Sequence, residues 1–554
     1  MKKTIITLLI TSIILSGTAC KSKTYNTKES TKITGATEAT QSEIEPLEDP
    51  SPSTPLPTPV PKIERLMNTS STKNQYDIKM KLNDTDHSVD VIQDLTYIND
   101  NGQALSEIYF NLIPNYFDRS GGKVTMNKIT VNGQECTLNQ VEGTVYSLTL
   151  PSSLEKDGTA KIHMEYTVNV PNLKNRFGYT DNTYNLGNMI VTPAQFENGK
   201  WLVEPYVDLG DAFYTKISDF NVSVEVPDGF RVASSGTLNN DGVYVAKDVR
   251  DFALSIIKDC QILSDTIMNV NVNVFYLQEN AAAASHVMEI AKKSLAFYSE
   301  KLGGYPYDTL NLVLSPQAGG IGGMEYPGLV MISAGEATDD AFDLYYDRIT
   351  LEELKEKIQK QDHASGDSEP ADTHETITDD DIRRNTLFEV TQLSRNVTHE
   401  IAHQWFYGIV GNDEIRYHWI DEGMCRFMEG YFMDAMDIDD VNYPLFERNK
   451  NVDETVYAEY NHQVENPMPV DLNLSLYDYI SKNEDETYYD IYDKGAAMIY
   501  HMYSDLGPET FARALKDYVQ TFAFSEVTPE AFQLFWKEYG DFEELFTVYL
   551  HHFE

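Results

Sequence analysis

Apolar and polar positions alternate with a period of two through most of residues 70–277. The runs YDIKMKL, HSVDVIQDLTYI, LSEIYFNLI, AKIHMEYTVNV, FNVSVEV and MNVNVNVFYL are separated by Gly, Asn and Asp. That spacing predicts a large antiparallel β domain over about 66–277. At NAAAASHVMEIAKKSLAFYSEKLGG the period becomes helical, and Gly303-Gly304 supplies a stop, so a boundary is expected near 277/278. Beyond it come a strand-like NLVLS, the glycine-rich turn AGGIGGMEYPGLVMI, and then helices. Residues of about 336–385 turn acidic and polar and are expected to be a solvated insertion. Two amphipathic helices, GPETFARALKDYVQTF and TPEAFQLFWKEYGD, lie near the end, the second with Thr528 as N-cap and Pro529 at its first position. The fold class expected is α+β, with a β domain followed by a mainly helical domain over 278–554.

The first twenty residues change the picture of where the protein works. Two lysines, an apolar stretch from Ile5 to Leu15 and small residues up to Cys20 form an export signal. Gly17-Thr18-Ala19-Cys20 resembles a bacterial lipoprotein processing site, which implies acylation of Cys20 and tethering to the membrane, with plain secretion as the alternative. Residues 21–65 are rich in Ser, Thr, Glu and Pro and offer little to bury, so they are expected to be a disordered spacer spanning roughly 35–40 Å. The expected location is the extracytoplasmic face of a bacterial cell. Cys136, Cys260 and Cys425 allow at most one disulfide within the chain, and Cys425 is expected to be a buried thiol.

Apolar content of 41% is ample for a globular core, and 554 residues call for at least two domains. A formal charge of −44 would repel nucleic-acid phosphates and anionic lipid at long range, so nucleic-acid binding is discounted. A solvated acidic surface is the simpler reading of that charge than a dedicated cation store. The cluster Asp434, Asp437, Asp439 and Asp440 lacks a calcium-loop signature, and His418, His501, His551 and His552 fall outside any ligand spacing.

The chemistry lies in NVTHEIAHQWFYGIVGNDEIRYHWIDEGMCRFMEGYF. His399 and His403 are four apart, so on a helix both imidazoles reach one ion, while Leu393, Val397, Ile401 and Trp405 can face elsewhere. Glu422, on a second predicted helix, supplies a third ligand, with Gly408 and Gly411 letting the chain turn back between them. Two His and one Glu leave one position of a tetrahedral zinc open, which marks a catalytic site for a single ion. Glu400, beside His399 but pointing elsewhere, is placed as general base and then acid.

HEIAHQWF, WIDEG with Glu422, and the preceding GGMEYPGLV resemble the aminopeptidase N family of gluzincin metallopeptidases, to which the leukotriene hydrolase also belongs. The resemblance runs from about 70 to 554 and implies a β saddle domain packed on a thermolysin-like catalytic domain. It further implies that Tyr492, in Tyr492-Asp493-Lys494-Gly495, donates a hydrogen bond to the developing oxyanion. Glu325 then binds the free α-amine of the substrate, and Gly322, Gly323 and Met324 line the substrate beside it. The chain departs from the family pattern in three places. Tyr326 stands where many relatives have Asn, Glu197 is only a weak candidate for a second amine-binding acid, and the large C-terminal helical domain of many relatives has no counterpart. The function expected is removal of N-terminal residues from extracellular peptides. The alternatives are a peptidase of broader specificity and a surface protein that binds peptides without cutting them.

Overall fold

In strand Asn74–Asn83, Tyr76, Ile78, Met80 and Leu82 are buried while Asp77, Lys79 and Lys81 are exposed, as a two-residue period dictates for a sheet with one face on a core. This strand pairs antiparallel with Ser88–Ile98 at the centre of an eight-stranded sheet. Its other neighbour, Ser218–Glu225, runs parallel to it, so the sheet is mixed where an antiparallel one was expected. A parallel partner must return by a long crossover, which here is the chain between 98 and 218, holding one whole four-stranded sheet and two strands of another. Local alternation in sequence carries no trace of that return.

The computed structural model describes residues 64–68, 70, 73–315, 322–333, 335, 337–357, 378–436, 438, 471–482, 488 and 490–550. The export signal with Cys20, the spacer up to residue 63, the middle of the expected insertion, and Asp437, Asp439, Asp440, His551 and His552 lie outside the described residues. Among the described residues, Cys136, Cys260 and Cys425 are all free thiols. No described helix is long and apolar enough to cross a membrane.

A second, five-stranded sheet positions the site. The hairpin Gln261–Ile267 and Val270–Tyr276 leads through helix α1, Ala281–Leu302, to the parallel strand Thr309–Leu314, which pairs with Leu329–Ile332. Helix α1 is the crossover that a parallel pair requires, and Gly303, at φ 116°, ends it. The sheet thus continues across residue 277, where the period changes. At its edge lies the short strand Gly323–Met324. Three more helices complete the frame: α2 (Asp379–Ala402), α3 (Trp419–Ala435) and α4 (Asp490–Leu506). Residues 379–385, read from the sequence as the end of the insertion, form the first turns of α2. Near the end, Thr528 caps the helix Pro529–Trp536, its hydroxyl accepting from the Ala531 N–H.

Candidate metal centre and active site

Helix α2 is held by one apolar face. Val390, Leu393, Val397 and Ile401 are buried at helical intervals, which turns His399, Glu400 and His403 toward a cleft of about 440 Å³. Helix α3 brings Glu422 to the same point. His399 Nε2 and His403 Nε2 lie 3.1 Å apart, and Glu422 Oε2 is 3.1 Å from the first and 3.3 Å from the second. These three donor atoms lie within 4.8 Å of one another.

The outward nitrogens explain why the inward ones converge. His403 Nδ1 donates to the Phe406 carbonyl at 3.1 Å and faces Asp421 Oδ2 at 3.5 Å, and His399 Nδ1 lies 3.4 Å from Glu429 Oε2. Acceptors on both Nδ1 atoms set the tautomer that leaves Nε2 as a lone-pair donor, the arrangement a zinc-binding histidine needs. Burial opposes a positive charge on His399, but Glu422 and Glu429 outweigh it and raise the ring to about 9. Burial likewise opposes a charged Glu422, yet His403 and His399 hold it well below the usual carboxylate range. Nitrogen, nitrogen and oxygen donors facing one point in an anionic setting fit zinc with one position open.

Glu400 is 6% exposed, and burial raises its carboxyl to about 7 against the pull of the two imidazoles. Gly323 makes its placement possible, because a Cβ there would sit 2.6 Å from the Glu400 carboxyl group. A Cβ at Gly322 would strike Asn396 at 2.8 Å. Any larger residue would push the edge strand off α2. Glu325 comes just after that strand, 4% exposed, with Oε1 buried and unpartnered, and burial followed by the nearby Asp211 pushes its carboxyl well above its ordinary range.

Tyr492 reaches in from α4, its hydroxyl donating to Glu422 Oε1 at 2.7 Å. The approach depends on Gly423 and Gly495, since a Cβ at Gly423 would lie 2.9 Å from the Gly495 Cα. The glycine of the Lys494-Gly495 pair therefore serves close helix packing. Met324 is buried in the core and is not among the cleft-lining residues. The Tyr326 ring also points away, its hydroxyl donating to Asn188 at 2.6 Å within the β-rich region. Glu197 lies outside the lining and accepts from Arg416 at 2.8 Å.

Several functional residues were missed in the sequence. Gln404 pins the Glu325 segment to α2: its Nε2 donates to the carbonyls of Glu325 and Tyr326 at 3.2 and 3.3 Å, and its Oε1 accepts from the Gly328 N–H at 2.8 Å. Glu429 stands seven residues after Glu422, two helical turns along one face, a spacing that could have revealed it. Asp211, paired with Arg176, enters the cleft from the β-rich region with no local pattern to announce it.

Comparison with known proteins finds similarity over the part of the chain that carries this geometry. A model described as the Peptidase family M1 domain matches residues 373–548. Aminopeptidase M1-B of Oryza sativa subsp. japonica is 30% identical over 146 residues, covering 25% of this chain and 15% of that one. Aminopeptidase 2 of Candida albicans (strain SC5314 / ATCC MYA-2876) is 22% identical over 266 residues, 48% of this chain and 24% of its own. The chain thus spans less than a quarter of either relative's length. The M1 zinc metallopeptidase from Deinococcus radiodurans superposes with a TM-score of 0.53 at 16% identity, over 86% of this chain and 93% of that one, a likeness of fold. A mutant of that metallopeptidase bound to a Tyr-Ser-Ala substrate superposes with a TM-score of 0.51 at 16% identity, over the same shares of the two chains. The helices that carry the convergent donors, α2 and α3, lie within the residues that match the Peptidase family M1 domain, and the donor set His399, His403 and Glu422 fits one zinc ion.

Proposed function

We propose that this chain is a zinc-dependent aminopeptidase that removes N-terminal residues from peptides outside the cell. The observation that carries the reading is Glu325. Its buried carboxyl group, with one oxygen unpartnered, directly follows the strand that passes Glu400 at Gly323 and lines the same cleft as His399, His403 and Glu422. A carboxylate there accepts an α-ammonium group, and the first peptide bond then falls at the metal donors.

Held by His399, His403 and Glu422, zinc supplies Lewis acidity, which polarises a carbonyl and brings a water's pKa to about 7. Glu400 takes the proton of the attacking water and returns it to the leaving amine, a role suited to a carboxyl near neutrality. Tyr492 turns its hydroxyl to the carbonyl oxygen as negative charge builds there; a donor so placed is worth about 2.7–4 kcal/mol. Glu429 and the Phe406 carbonyl keep both imidazoles aimed inward throughout. Burial of Glu325 keeps water from competing for the α-ammonium group it holds.

Rates on a free peptide and on its N-acetylated form test the reading. A strong preference for the free amine supports it, and equal rates would leave a peptidase of broad specificity. Stoichiometric zinc without hydrolysis of any peptide would leave a binding protein. The residues up to Cys20 support a further part of the proposal, a lipid tether on the bacterial surface. Cys20→Ala is expected to move the protein from the membrane fraction to the medium; an unchanged distribution would exclude the tether.

A further inference from the structure

Asp251 is a buried acid that the reaction does not use, and it ends a chain of polar contacts that begins beside Glu325. The Tyr326 hydroxyl donates to Asn188 Oδ1 at 2.6 Å, Asn188 Nδ2 donates to Asp251 Oδ2 at 2.9 Å, and Asp251 Oδ1 accepts from the Phe252 N–H at 2.8 Å. All three side chains are buried. The backbone is shaped around the first of these contacts. A Cβ at Gly187 would sit 2.0 Å from the Tyr326 hydroxyl oxygen, and Asn188 holds φ 53°, a left-handed conformation that costs most side chains but suits Asn. Two uncommon backbone choices in succession thus make room for one hydroxyl group.

Tyr326 is the neighbour of Glu325, and successive side chains of an extended segment point to opposite sides. Glu325 lines the cleft and Tyr326 does not, so holding the ring on one side holds the carboxyl group on the other. Gln404 pins the main chain of the same segment through the Glu325 and Tyr326 carbonyls and the Gly328 N–H. Those contacts tie the segment to α2, and the Tyr326 hydroxyl ties it to the β-rich region. The ring also lies over Phe213, centroids 6.4 Å apart, and the Arg176 guanidinium that pairs with Asp211 in the cleft lies 5.9 Å from the Phe213 centroid. Apolar packing would secure a ring against unfolding equally well, whereas a buried polar chain in which donor meets acceptor selects one orientation.

We propose that Tyr326 and Asn188, with Asp251 behind them, are positioning residues for amine recognition: they fix the Glu325 carboxyl group at the spot where the α-ammonium group of the substrate is read. None of the three lines the cleft, so they act through Glu325. The assignment rests on the aminopeptidase reading, in which Glu325 holds the amine. A charge-assisted hydrogen bond weakens steeply with distance and angle, so a carboxyl group free to shift loses affinity for the amine before the protein loses its fold.

Calorimetric dissociation constants of the zinc-loaded protein for leucine hydroxamate and for isocaproyl hydroxamate, which lacks only the α-amine, test this. The two ligands share their metal-binding group, so the ratio of their constants reports the amine contact alone. The wild type is expected to prefer the amine by about tenfold or more. Tyr326→Phe keeps the ring and removes the hydroxyl; it is expected to cut that preference roughly three- to tenfold while isocaproyl hydroxamate binds within about twofold of wild type. Asn188→Asp sets two carboxylates face to face and is expected to cut the preference as far. Adding Asp251→Asn exchanges the two groups, so that each acceptor again faces a donor, and is expected to restore the preference to within about twofold of wild type. An unchanged ratio in Tyr326→Phe, equal weakening of both ligands, or an exchanged pair no better than Asn188→Asp alone would overturn the proposal. Should a single variant not fold, the exchanged pair decides, with the wild-type preference expected and its loss overturning the assignment. A wild-type ratio near one would instead overturn the aminopeptidase reading, and this assignment with it.

Discussion

Glu400 and Glu325 are both buried carboxylates, yet their substitution is expected to fail in different ways. Glu400 touches none of the three donors' inward atoms, so Glu400→Gln should keep one zinc per chain while kcat falls about 10²–10⁴-fold, the usual share of a general acid–base group. Zinc content and turnover on one preparation check this, and loss of the metal would argue that Glu400 is structural. Glu325→Ala removes a charge-assisted contact made in ground and transition states alike, so it should act mainly on KM for free-amine substrates, by roughly 10- to 100-fold. The same substitution should barely change hydrolysis of an N-acetylated peptide. At this scale the sequence was legible wherever spacing alone decides geometry: His399 with His403 needs only a helix. It was illegible where a side chain comes from a remote segment, as with Asp211, while Glu429, which acts on the back of His399, left only its seven-residue spacing from Glu422 as a sign.

Between elements, contact distance matters more than residue type. Helices α3 and α4 touch at Gly423 and Gly495, and Gly495→Ala would place a methyl group where there is no room. About 1–3 kcal/mol of destabilisation is expected, with a larger relative loss in kcat than in KM as Tyr492 is pushed back. Thermal unfolding and kinetics on a leucine anilide measure both. A second element-scale prediction concerns His286 on α1, whose Nδ1 meets Tyr346 Oη at 2.8 Å and whose Nε2 meets Ser394 Oγ of α2 at 2.7 Å. Burial lowers this ring from 6.5 to about 4. The unfolded chain takes the proton first, so stability present above pH 6.5 is lost as pH falls toward 4, on the order of 3 kcal/mol in all. Urea unfolding at pH 7 and pH 5 should show that loss shrinking in His286→Asn, and an identical loss in the variant would contradict it. The helices and strands themselves were readable because their periods are local; the pairing of Asn74–Asn83 with Ser218–Glu225 was not, because register between distant strands leaves no local mark.

At the scale of the whole molecule, the β-rich region and the helices are joined through buried polar contacts. Arg250, 3% exposed, donates from Nε to the Tyr407 carbonyl at 2.8 Å and from Nη1 to Glu526 at 3.2 Å, and Gly411 leaves room for its guanidinium. Arg250→Ala should cost about 3 kcal/mol, as loss of one partner of a buried charged network does, and should lower the unfolding midpoint without changing zinc content. The −44 charge acts on solubility and on repulsion of polyanions, whereas the site depends on charges within a few ångströms of the donors. The central claim is that one zinc ion, held by His399, His403 and Glu422, carries the hydrolysis. Zinc titrated back into chelator-stripped protein, with leucine anilide hydrolysis followed at each addition, tests it most directly. Activity rising from near zero and breaking sharply at one equivalent is the result predicted; full activity in the stripped protein, or no recovery at any zinc level in a folded sample, would contradict it.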